Sequence, residues 1–228
     1  DDIVNIRGAG KGVAGLRSSL KFLMIAGLGL GLGWWFHVLL GVDSLHVPFV
    51  GNIALGWLII PLFAFAVVAT GNAVNISDGL DGLAGGLAAI AFGGFGIIAL
   101  LQGNPMIAGF CFTVVGALLS YLWFNIYPAR FFMGDVGSFA LGASLGVVAM
   151  LTNTFLLLPV IGVLFVIEAG SSLIQITSKK FFKKKVFISA PIHHHLEAIG
   201  WPETKVTMRF WVNAAVASFV GVMLALAG

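Results

Sequence analysis

Seven apolar runs, approximately Phe22 to Leu40, Ile53 to Val74, Leu83 to Leu101, Met106 to Phe124, Val136 to Leu151, Phe155 to Ile174 and Phe210 to Ala227, take up most of the chain. At ~1.5 Å per helical residue, most of them match a hydrocarbon core ~30 Å thick. A backbone inside lipid finds no water, so each run must satisfy its own N–H and C=O groups, which a helix does. The expected fold is therefore all-α: a polytopic transmembrane helical bundle of about seven helices, in one integral-membrane domain over residues 1–228. The run from Val136 is short and would borrow Thr152 and Asn153. That from Phe155 carries Pro159 and Glu168 and is expected to bend or break. A composition of 59% hydrophobic and only 9% charged residues excludes a soluble domain. Glycines recur within the runs, as at Gly27, Gly29, Gly31 and Gly33, and suit close helix approach in lipid.

Polar chemistry is confined to four islands: Asp1-Asp2, Asn72 to Asp81, Asn125 to Asp135, and His193 to Glu197. The 12 Lys and Arg residues all fall in alternate connections, on the side that also holds these islands. Gly41 to Asn52, Gln102 to Pro105 and Thr152 to Thr154 contain neither Lys nor Arg. The positive-inside rule assigns the basic side to the cytoplasm. A single Cys111 lies in an apolar run and reads as a packing residue. The chain opens at a polar island without Met, and N-terminal segments are expected to be missing from it.

Asp78 and Asp81, spaced i, i+3 at a helix start, fall on one side of it, beside Asn72 and Asn75. They can cap a helix or bind a metal, and two acids with two amides exceed what a cap requires. Asp135 opens another helix after a loop carrying Asn125 and Arg130, where an acid can cap or hold Mg²⁺ bridged to phosphate. The adjacent carboxylates of Asp1-Asp2 repel one another, which suits a metal ligand or a proton acceptor, while the pair taken alone reads as a solvated loop end. His193, His194 and His195, followed by Glu197, match no zinc spacing and read as hydrogen-bonding groups for an anionic substrate. Lys179, Lys180, Lys183, Lys184 and Lys185, interleaved with Phe181 and Phe182, form a basic segment that attracts headgroups or phosphates, or merely sets topology. Acids, bases and a surrounding bilayer together favour metal-assisted phosphoryl or phosphoglycosyl transfer to a lipid-linked substrate. A transporter, a membrane scaffold and a transferase using another UDP-sugar stand as alternatives; no nucleic-acid partner is expected.

The stretches from Asn72 to Ala84, from Phe124 to Ser138 and from Ala190 to Glu197, with Gly200-Trp-Pro-Glu after them, resemble the phospho-N-acetylmuramoyl-pentapeptide transferase (MraY) family in order and in detail. The likeness spans the whole chain, and the triple histidine points to this branch of the superfamily. It implies a ten-helix bacterial plasma-membrane enzyme with its active site facing the cytoplasm. The implied reaction moves phospho-MurNAc-pentapeptide from UDP-MurNAc-pentapeptide to undecaprenyl phosphate with Mg²⁺, giving lipid I and UMP. Members of the family can dimerise. Seven runs here and three missing ones would make ten.

Carried over position by position, the resemblance implies Asp1, Asp2 and Asp78 as catalytic acids and Asp135 as the Mg²⁺ ligand. Asn72, Asn75, Asp81, Asn125, Phe132, His193, His194, His195, Lys21, Glu168 and Gln175 are implied substrate contacts. Asn5 stands where the family usually carries Lys, and the loss of that charge would weaken phosphate binding.

Overall fold

The computed structural model describes residues 18–228. Asp1, Asp2 and Asn5, with their expected roles, lie outside the described residues. From Ser18 onward the chain forms α1 (Ser18–Val38), a hairpin of β1 (Ser44–Val47) and β2 (Gly51–Ala54), then α2 (Ile59–Ser77), α3 (Leu83–Leu101), α4 (Pro105–Asn125) and α5 (Gly134–Leu151). After a 3₁₀ turn at Phe155–Leu157 follow α6 (Leu158–Ile161), α7 (Val163–Phe181), α8 (Ile192–Ala198) and α9 (Glu203–Ala227).

Among the described residues, six helices are long and apolar enough to cross a membrane, and a bent pair raises the number to seven. The fold is thus the expected helical bundle, with three local corrections. The second run does not begin as a helix at Ile53: that residue pairs with Leu45 in the antiparallel hairpin, and helix begins at Ile59. The fifth helix gains length at its start, from Gly134, and ends at Leu151 without Thr152 and Asn153. The last begins at Glu203, nearly two turns before the apolar run, because Pro202 sets a helix entry and the acid suits the positive end.

The bend expected around Pro159 is present. The segment Phe155–Ile161 and the helix Val163–Phe181 meet at 82°, with Gly162 at the break. Pro159 lies in the first turn of α6, where its missing N–H costs nothing, and the apolar run divides at Gly162 into a single-turn helix and a 19-residue one rather than one straight span.

Helix α3 is the axis of the bundle. Its Leu83, Leu87, Phe92 and Phe95 are buried in one core with Cys111 and Leu118 of α4, Leu145 of α5 and Phe210 of α9. A second core joins Phe36 of α1, Phe63 and Val67 of α2 and Met150 of α5. Lipid tails are as apolar as these side chains, so tight packing rather than water exclusion holds such helices together. Gly142 shows the requirement: a Cβ there would lie 2.7 Å from the Gly71 Cα and still nearer the Thr70 carbonyl oxygen, so only glycine lets α5 and α2 come this close.

The three connections without Lys or Arg meet at one end. The His46 amide donates to Asn153 Oδ1 at 2.9 Å, and Gln102 Nε2 to the Thr152 carbonyl at 2.9 Å. The acidic and histidine segments are at the other.

Candidate active site

The connection between α2 and α3 carries Asp78 and Asp81, and neighbours distant in sequence hold it in place. The Asp81 amide donates to Glu203 Oε1 at 2.6 Å, and Thr207 Oγ1 donates to the Asp81 carbonyl at 3.3 Å. Trp211 Nε1 donates to the Gly82 carbonyl at 3.2 Å, so three successive turns of α9 clasp the loop. On the other flank the Gly82 amide donates to Asn125 Oδ1 at 3.0 Å, and the Ala129 amide donates to Asp81 Oδ2 at 2.8 Å. Asn125 completes its own bonding by donating to the Phe131 carbonyl at 3.0 Å. Asp81 and Asn125 are thereby tied into the scaffold, each joining the second island to the third.

Asp78 differs. Its backbone amide closes the end of α2 on Asn75, but its carboxylate accepts no hydrogen bond among the described residues. Burial, reinforced by the neighbouring Asp135 charge, pushes its carboxyl above the ordinary carboxylate range. Asp135, in the first turn of α5, accepts from Lys21 Nζ at 2.5 Å on one oxygen and from Asn75 Nδ2 at 3.0 Å on the other. Asn75 Nδ2 also lies 3.0 Å from Ser138 Oγ. Thus α1, α2 and α5 converge on one carboxylate, 114 residues from its lysine.

The histidines take three different environments. His193 and Glu168 form a pair at 2.7 Å between Nδ1 and Oε2, with side chains 1% and 0% exposed. His193 Nε2 and Glu168 Oε1 are buried without a hydrogen-bond partner among the described residues. The His193 ring lies directly against Gly79, bringing the fourth island under the second. His194 Nδ1 is 2.8 Å from Glu197 Oε2, and its ring meets that of His193 at 4.2 Å between centroids. His195 Nδ1 faces away and accepts from the Ile188 amide at 3.2 Å.

Three further expected contacts are placed as follows. Phe132 is 74% exposed, with an open ring face at the start of α5. Asn72 donates to the Val68 carbonyl of its own helix at 2.7 Å. Gln175 is buried, and its amide is taken up by the backbone: Oε1 accepts from Val186 and Phe187, each at 3.0 Å, and Nε2 donates to the Phe187 carbonyl at 2.9 Å. Its direct partner is this loop. Glu203, Thr207 and Trp211 were not among the expected site residues. Of the three, only Glu203 is marked in the sequence, as the last residue of the Gly200-Trp-Pro-Glu stretch and as an acid at a helix start, without a role in the site.

Among the described residues, no group of three His, Cys, Asp or Glu side chains is disposed to hold a metal ion alone. Mg²⁺ commonly binds through one or two carboxylates completed by substrate phosphates and water. Asp78, with its carboxylate unengaged, and Asp135, near enough to perturb it, fit that donor set. Between α2 and the bent α6–α7 pair lies an apolar cavity of about 420 Å³, lined by Phe65, Ala69, Ala73, Pro159 and Val166 among others. Its wall on α2 runs to Ala73 and Val74, beside Asn75.

Comparison with known proteins gives this polytopic helical bundle, with its acid-rich polar end, a family. The model of glycosyl transferase family 4 matches residues 1–153, and the chain belongs to that family. It is 41% identical to the phospho-N-acetylmuramoyl-pentapeptide-transferase of Chloroflexus aurantiacus, over 99% of this chain and 65% of that protein. Proteins of the same name from Chloroflexus aggregans and Geobacillus thermodenitrificans are 47% and 46% identical, each over 79% of this chain and 52% and 56% of their own length. The chain thus spans between about half and two thirds of these relatives.

Proposed function

We propose that this chain supplies the acid-bearing part of a phosphoglycosyl transferase of peptidoglycan synthesis. In this reading, phospho-MurNAc-pentapeptide passes from UDP-MurNAc-pentapeptide to undecaprenyl phosphate, giving lipid I and UMP, at the cytoplasmic face of a bacterial plasma membrane. The observation that carries it is the meeting of Asp78, Asp81, Asp135 and the His193–Glu168 pair at one end of the bundle, beside an apolar cavity suited to an isoprenoid tail. The names of the relatives supply the substrate class.

The chemistry is an in-line displacement. An oxygen of the acceptor phosphate bonds to the sugar-bearing phosphorus of the donor, the bond from that phosphorus to the bridging oxygen breaks, and UMP leaves with the bonding electrons. Asp78 is the base of choice for the acceptor's proton, because a carboxyl held above its ordinary value binds that proton more readily. In this reading Asp135 would hold Mg²⁺, which when bound would offset charge on the diphosphate. Lys21 and Asn75 fix the direction of the Asp135 carboxylate, and a cation entering there competes with the Lys21 ammonium. The open face of Phe132 offers a stacking surface for a flat group such as the donor's base.

The test is UMP release by the full-length protein in detergent, with both substrates and Mg²⁺, beside an Asp135→Asn variant and an EDTA-treated sample. Mg²⁺-dependent release lost in the variant is expected. Turnover with UDP-N-acetylglucosamine but not with the MurNAc-pentapeptide donor would replace the substrate assignment, and silence with both donors would overturn the transferase reading.

A further inference from the structure

The lysine-rich segment after α7 plays no part in the site above, yet it is held in a defined shape. Gln175 fixes the backbone of residues 186 and 187, Ser178 Oγ donates to the Lys184 carbonyl at 2.9 Å, and the Ile188 amide is tied to His195. These bonds stand the segment off from the helix around a cavity of about 270 Å³. Lys179, Ser172 and Ile176 of α7 line one wall, and Lys185, Ile188 and Ser189 the other.

Two like charges are therefore set around one hole, with three more lysines nearby at positions 180, 183 and 184. No Asp or Glu occurs between Glu168 and Glu197. Both of those flanking acids are engaged, with His193 and His194 respectively. None of the five lysines forms an ion pair with a carboxylate among the described residues. A loop pinned about cations that no described carboxylate offsets suits an anion, and two ammonium groups with two hydroxyls form a donor set for phosphate oxygens. The surroundings indicate where that phosphate comes from. Leu173, Ile176 and Ile188 are 66%, 63% and 57% exposed, on and beside the end of α7, which with α6 forms a bent pair long and apolar enough to cross a membrane. A soluble anion has no use for such a rim, whereas acyl chains do.

We infer that the cavity between α7 and residues 182–190 binds the phosphate head of an anionic phospholipid, with its acyl chains along Leu173 and Ile176. Lys179 and Lys185 grip the phosphate from two sides, and the serines supply neutral donors. Basic pockets beside membrane helices are suited to such heads, each lysine strengthening binding several-fold. None of the lining lysines or serines belongs to the acidic cluster, so the headgroup site does not rest on the transfer reaction, although Leu173 also borders the apolar cavity beside α2.

The test is native mass spectrometry of the full-length protein released from micelles doped with phosphatidylglycerol or phosphatidylcholine. One phosphatidylglycerol retained under conditions that strip phosphatidylcholine is expected. Lys179→Gln with Lys185→Gln should weaken retention roughly 30-fold, the combined effect of two lysines at a headgroup. Lys183→Gln with Lys184→Gln removes the same charge and should retain the lipid. Equal loss in both double variants would reduce the effect to diffuse charge and overturn the site, as would equal retention of the two lipids by the wild type. Displacement of the lipid by inorganic phosphate alone would overturn the lipid assignment. Thermal unfolding checks each variant, and Lys185→Gln alone, on the loop rather than the helix, repeats the comparison should the helix variant unfold.

Discussion

Replacing Gly79 by alanine would put a methyl group against the ring of His193, at 3.0 Å from Cε1, 3.5 Å from Cδ2 and nearer still to Nε2. Something must move. The ring is buried and tied through Nδ1 to Glu168 at 2.7 Å, and breaking a buried pair of this kind costs about 3–5 kcal/mol. Lifting the loop is cheaper, since overpacking of this size costs about 1–3 kcal/mol, so the loop yields and carries Asp78 away from Asp135. If that whole cost appears in the transition state, turnover falls about 5- to 150-fold at 1.36 kcal/mol per decade. Unfolding temperature drops by roughly 2–4 °C for each kcal/mol that remains in the ground state. The assay is UMP release at saturating substrate, paired with thermal unfolding in detergent. Gly93→Ala is the control: a Cβ there meets nothing within 4 Å, in the middle of α3, and both readouts should stay at wild-type values or above. Wild-type turnover and stability in Gly79→Ala would refute the contact between the histidine segment and the acidic loop.

Two other expectations follow from buried or crowded charge. Asp78→Asn should raise thermal stability near neutral pH while abolishing turnover. With its carboxyl above the ordinary value, Asp78 contributes stability fully present at low pH and lost as pH rises through the raised value; metal-free wild type should show that decline in unfolding temperature and the variant should lack it. Glu168→Ala strands the His193 imidazole in a dry interior and should cost about 3–5 kcal/mol, read as a fall in unfolding temperature, with Glu168→Gln losing less because it keeps an acceptor for Nδ1.

What the sequence made legible was what length and periodicity control. Apolar runs of membrane width have few alternatives to helix, so the spans, the break near Pro159 and the gathering of the basic-free connections at one end all follow from composition along the chain. The hairpin was hidden because Ile53 and Ala54 are apolar and merge into the following run, whereas Gly51, Gly56 and the Val47–Gly51 pairing make a strand turn there. In the site, the acids themselves stood out, as ionisable groups in an apolar chain do. What held them did not: the Glu203 bond to Asp81 spans 122 residues, and no local pattern encodes a partner so far away. Gln175 shows the opposite difficulty. A buried amide near a polar island suggests substrate, while its hydrogen bonds turn out to shape the neighbouring loop.

The clasp of α9 on the acidic loop also bears on biosynthesis. Glu203, Thr207 and Trp211 are translated after every other segment that the loop touches, so the ribosome delivers the acids long before their fastener. A nascent chain halted before residue 203 would already carry its carboxylates into the bilayer with Asp81 held from one flank only. Synthesis of residues 203–211 and fastening of the acidic loop are thus a single event, and a chain stopped short of them carries its acids on a loop with one flank open.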